Sequence, residues 1–120
     1  MVSIIRGSDN FDSSISEEST KAWVNFNGQG TVAIRDDENV SSISDIGTGN
    51  TMVSFSSNMS SSNYIWNGNS SFTSANTPYM LCSVGSNYTL STSQFQINTV
   101  NSTVVQALDS PLVMTHVTNS

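Results

Sequence analysis

The chain has 120 residues, a one-domain length at which folding buries roughly two-thirds of the unfolded surface, enough for one core and no second domain. Ser, Asn and Thr fill 51 positions (25, 14 and 12) while Lys, Arg, Asp and Glu supply 12, so hydroxyls and amides rather than charges keep the chain in water. The formal net charge of −6 leaves no basic surface for nucleic acid or anionic membrane, and no apolar run nears the roughly 20 residues of a membrane-spanning helix.

Residues 1–20 are polar and acidic, with four acids between Asp9 and Glu18, and read as an extended N-terminal arm ahead of a domain over 21–120. From Ala22 the period is two: Ala22, Val24 and Phe26 alternate with Trp23, Asn25 and Asn27, the pattern of a half-buried strand. Gly28-Gln29-Gly30 breaks it and Thr31–Arg35 resumes it, a hairpin signal, with Asp36–Asn39 as the next turn. Val40–Ile46 and Thr51–Ser56 form a second pair joined by Gly47-Thr48-Gly49-Asn50. A polar stretch, Ser56–Asn63, leads to a short strand at Tyr64-Ile65-Trp66. Asn67–Thr77 then has loop chemistry, with Phe72 as an anchor. Tyr79–Val84 and Tyr88–Thr92 flank Gly85-Ser86-Asn87, and Phe95, Ile97 and Thr99 alternate next. Asn101–Ser110 admits two readings, a short strand through Val104, Val105 and Leu108 or a segment lying across a partner; Pro111 marks a boundary before Val113, Thr115 and Val117. Nine short strands with no helical period predict an all-β fold, an antiparallel β-sandwich or jelly-roll-like domain, or a barrel.

No charged residue occurs among the 63 positions from Ile46 to Leu108, which predicts a hydrated amide and hydroxyl surface together with packing against further copies of the chain. The single cysteine, Cys82, excludes an internal disulfide and is expected in a strand interior as a small buried hydrophobe.

The chemistry-bearing residues point away from catalysis. Asp36-Asp37-Glu38 puts three carboxylates side by side, but adjacent side chains diverge, so a charged turn is expected and no metal or other cofactor. The single histidine, His116, lies on the alternate face from Val113, Thr115 and Val117, with Asp109 its nearest acid in sequence; among 25 serines a nearby hydroxyl carries no information. The remaining acids fall in the arm and a turn, and there is no phosphate-binding glycine loop. Asn39, Asn58, Asn69, Asn87 and Asn101 each begin an Asn-x-Ser/Thr triplet, against roughly four expected by chance in this composition. One cluster has binding character: Tyr64, Trp66 and Tyr79 surround an uncharged loop containing Asn67 and Asn69. Aromatic faces cover the apolar face of a pyranose and amides pair with its hydroxyls. Core or interface positions for Tyr64 and Trp66 are the competing reading, and Trp23 is read as structural.

Lys21-Ala22-Trp23-Val24-Asn25-Phe26-Asn27-Gly28-Gln29-Gly30-Thr31-Val32-Ala33-Ile34-Arg35, followed by Asn39-Val40-Ser41-Ser42-Ile43-Ser44-Asp45-Ile46-Gly47-Thr48-Gly49, closely resembles a module recurrent in tail-fibre-like and other virion proteins of tailed phages. The resemblance continues through Thr51, Val53 and Phe55, Asn63-Tyr64 and Asp109-Ser110-Pro111, covers residues 21–117, and is loose between Ile65 and Val105. It implies a non-enzymatic, all-β structural module displayed on the virion surface, one part of a trimeric fibre or of a protein decorating the particle. Its partners would be other virion proteins (fibre shaft, tail or capsid) and a host surface glycan. Capsid decoration and a stand-alone lectin-like module are the alternatives. Met1 stands some 20 residues upstream of the resembling stretch, which suits a small decoration protein or an excised tip.

Overall fold

The computed structural model describes residues 20–71, 80–84, 90–101 and 106–118; residues 1–19 of the expected 1–20 arm, Phe72, Tyr79 and Val104-Val105 lie outside these. Strand β1 (Thr20–Asn27) buries Ala22, Val24 and Phe26 and turns Trp23 and Asn25 outward, as its period-two pattern requires. It pairs antiparallel with β2 (Ala33–Glu38), and a register shift between Asn25 and Phe26 leaves Arg35 as the extra residue of a bulge. The Arg35 guanidinium donates to the Pro111 carbonyl at 2.6 Å and to Asn25 Oδ1 at 3.4 Å.

Asp36–Glu38 is therefore strand and not turn. The chain reverses side at one residue, Asn39, whose φ of 59° lies in the left-handed region that asparagine tolerates. Its Oδ1 accepts from the Ser57 amide at 2.7 Å, and its Nδ2 donates to the carbonyls of Ser57 and Lys21 at 3.1 and 3.3 Å. Beyond this corner, β3 (Val40–Gly47) and β4 (Asn50–Phe55) form the expected hairpin through Thr48-Gly49. Gly49 has φ 69°, and a Cβ there would stand 2.6 Å from the Thr99 carbonyl oxygen.

The later strands are β5 (Ile65–Ser70), β6 (Met80–Val84), β7 (Gln94–Asn101), the two-residue β8 (Gln106–Ala107) and β9 (Val113–Thr118). Asn67–Asn69 thus belongs to a strand, where sequence chemistry predicts a loop. Residues 90–92 carry no strand, because the Ser91 side chain instead turns the chain, accepting from the Gln94 amide and donating to its carbonyl. Two antiparallel sheets result, β2-β1-β9-β5 and β3-β4-β7-β6 with β8 also on β7, and they pack face to face as a β-sandwich. Between them lie Val24, Phe26, Val53, Phe95, Ile97, Val113 and Val117, all at most 1% exposed, each worth about 1.5–3 kcal/mol of burial. The core is built without a disulfide: Cys82 sits half-buried on the inner face of β6.

Asp109-Ser110-Pro111 ties four elements together just before β9. Asp109 Oδ1 accepts from the Gly49 amide (2.7 Å), the Ser110 carbonyl accepts from Gly28 N (2.8 Å), Ser110 Oγ donates to the Ser71 carbonyl (2.9 Å), and the Pro111 carbonyl takes Arg35. Ser110 is fully buried.

Candidate functional site

Of the five residues singled out as a sugar-binding set, the four described ones do not share one face. Tyr64 is 5% exposed, and its hydroxyl donates to the Ser91 carbonyl at 3.0 Å. Its ring meets Phe55 edge-on, Phe55 meets Phe95, and Phe95 meets Trp66 at centroid distances of 5.7, 5.6 and 6.1 Å, so Tyr64 and Trp66 cap the two ends of an internal aromatic chain. Trp66 lies across Gly68, where a Cβ would come within 2.8 Å of the indole and 3.0 Å of Cys82 Sγ. Both rings pack into the core. Tyr79 lies outside the described residues.

Asn67 and Asn69 fall on the opposite face of β5, and the register shows what joins them. Trp23 on β1 stands beside His116 on β9, which stands beside Asn67; one step along the strands, Asn25, Met114 and Asn69 form a second row. With strands about 4.8 Å apart and alternate residues about 6.7 Å apart, the six side chains span a patch of roughly 10 by 7 Å. They line a groove of about 310 Å³ on the outer face of the four-stranded sheet, its floor completed by Val24, Gly68 and Thr115. This volume is at the lower end of the roughly 300–1,000 Å³ of small-ligand sites.

The wall of this groove is held in place. Trp23 Nε1 donates to Glu38 Oε1 at 3.1 Å, which fixes the indole against β2, and Asn25 Oδ1 is taken by Arg35. Asn67, Asn69 and His116, by contrast, spend no side-chain hydrogen bond among the described residues. Met114, 42% exposed, puts an apolar surface at the centre. The groove therefore offers one oriented ring, a thioether, an imidazole and two free amides, with no charged side chain in its lining and, along its β2 rim, the Asp36 and Glu38 carboxylates and the Arg35 guanidinium.

His116 has no acid or hydroxyl on its ring among the described residues, and there no three metal-ligating side chains converge. Burial pushes the Cys82 thiol up to about 12, away from nucleophilic use. Compared with protein-family models, curated proteins and solved structures, the chain matches none.

Sequence reasoning missed Trp23, Asn25, Met114 and His116 as members of one surface. The signal was partly there, since the alternation of β1 and β9 puts each of them opposite the buried residues; what was absent was the pairing of β9 with both β1 and β5.

Proposed function

We propose that the chain is a non-enzymatic structural module displayed on a phage virion, of the tail-fibre or receptor-binding-tip kind, whose outer four-stranded face makes contact with the host surface. The observation that carries this reading is the groove itself: a rigid sheet holds an oriented indole beside two amides that spend no side-chain hydrogen bond among the described residues. The resembling stretch Lys21–Arg35 supports it, because that stretch is the β1–β2 hairpin, and its Trp23 and Asn25 form one wall of the groove. Display on a particle suits a sandwich stabilised by two sheets and polar ties rather than by disulfides.

A second reading, capsid decoration, is favoured by the sheet edges. Both sides expose apolar side chains, Ile46 (51%) on edge β3 and Ile65 (50%) and Leu81 (58%) on β5 and β6, but β2 carries Arg35, Asp36, Asp37 and Glu38 and β3 carries Asp45, whereas β5 and β6 carry no charge. Charge is the usual guard against edge pairing, so the unguarded side is the natural contact between copies in a homotrimer or a lattice. Gold-labelled antibody against the protein, applied to purified particles, separates the two: label at fibre tips supports the first reading and label over the head the second. Particles without label refute both.

A further inference from the structure

We infer that the groove between β1, β9 and β5 is a subsite for a neutral pyranose, with Trp23 as its stacking platform. This deepens the preceding reading of that face as the contact surface. The Trp23 indole is held by Glu38 at 3.1 Å, so its ring is oriented before a ligand arrives and little side-chain freedom is lost on stacking. A pyranose presents an apolar C–H face and a rim of hydroxyls. The first matches the indole and the Met114 surface, and the second matches Asn67, Asn69 and His116. An amide accepts with its oxygen and donates with its nitrogen, so one asparagine can hold two neighbouring hydroxyls at once.

The charges choose among sugars. No cation lines the groove to receive a carboxylate or sulfate: the one guanidinium beside it, Arg35, is engaged by the Pro111 carbonyl and Asn25 Oδ1, and Glu38 and Asp36 are the register neighbours of Trp23 and Asn25, so an anionic sugar gains no partner there. A planar nucleobase is disfavoured too, because a single ring provides no sandwich and the chain has a net charge of −6. A footprint of roughly 10 by 7 Å holds one ring with part of a second.

The chain contains two tryptophans, which gives a direct readout. The full-length protein is screened on an array of neutral, sialylated and sulfated oligosaccharides, and the strongest neutral binder is titrated into ¹⁵N-labelled protein while both indole N–H resonances are followed. The Trp23 resonance should shift with saturation and the Trp66 resonance stay still. Trp23→Ala should weaken binding roughly 2- to 12-fold, Trp23→Phe should recover most of that loss, and Asn67→Ala should weaken it to a similar degree. Melting temperatures of the variants should stay within a few degrees of the parent, since these side chains lie outside the core.

Movement of Trp66 alone, a preference for sialylated or sulfated glycans, or binding unchanged in Trp23→Ala overturns the inference. So does concentration-dependent self-association that Trp23→Ala abolishes, which makes the groove an interface between copies. The two readings fail separately: an array with no neutral binder, alongside gold label on the particle, removes the sugar site and leaves the virion module. Sugar binding by a protein absent from particles does the reverse.

Discussion

Asn39 alone links β2 of the first sheet to β3 of the second, and its replacement is expected to be costly out of proportion to its size. It contributes two separable terms: a left-handed backbone at φ 59°, and three side-chain hydrogen bonds that join Lys21 on β1 to Ser57 beyond β4. Each bond is worth about 0.5–1.5 kcal/mol, and the two to Ser57 lie at the surface, so their sum is about 2 kcal/mol. Glycine keeps the backbone and loses the bonds; alanine loses both, at a further cost of about 1 kcal/mol. Asn39→Gly should therefore lose about 2 kcal/mol and Asn39→Ala about 3, which for a domain of this size lowers the melting temperature by about 8 and 12 °C. Urea unfolding followed by tryptophan fluorescence measures both on one scale. An alanine variant at least as stable as the glycine variant would refute the left-handed corner, and losses below about 0.5 kcal/mol in both would refute the tie between sheets.

Three further outcomes are expected. Trp66→Ala should lose about 2–4 kcal/mol in the same urea assay: the inward ring costs about 3–5 when truncated, and its buried Nε1, without a partner among the described residues, gives back part of this. Sugar binding by the folded Trp66→Ala protein should be unchanged. Gly49→Ala should lose at least about 2 kcal/mol, since it meets both a positive φ of 69° and the Thr99 carbonyl; a variant with parental stability refutes the close approach. The Cys82 thiol, pushed up to about 12 by burial, keeps its proton in the folded protein while the unfolded chain releases it near pH 9. The contribution is full below pH 9 and is lost as pH rises from 9 to 12, by up to about 1.4 kcal/mol per pH unit. The urea midpoint of the parent should fall faster across that window than that of Cys82→Ala, and equal slopes would refute the shift.

What could be read from the sequence follows the reach of each signal. Alternation within β1, β4, β7 and β9 is local, so their inner faces, from Ala22 to Val117, are legible. The Asp36–Glu38 run was misassigned because charge is a turn signal only on average, and here it guards an edge strand instead. Tyr64, Trp66 and Asn67 were grouped because they are neighbours in sequence, yet on a strand Trp66 and Asn67 point to opposite faces and cannot grip one ligand. The surface that does assemble draws on positions 23, 67 and 116, and its existence depends on strand order, which no local pattern encodes.

The place of β9 has a consequence for how the protein is made. It is the last of the described strands to leave the ribosome, yet it is inserted in the interior of the first sheet, with Ala22 and Val117 as register partners. The hairpins β1–β2 and β3–β4 can close early from nearby residues, but β1 and β5 have nothing between them until β9 arrives. During that interval both offer unpaired backbone edges beside Val24, Phe26 and Trp66, so the nascent chain is most exposed to association with other chains after β5 and before β9 is made. Slower elongation over the codons of β9 should therefore change the yield of soluble protein more than the same delay imposed over β1–β4.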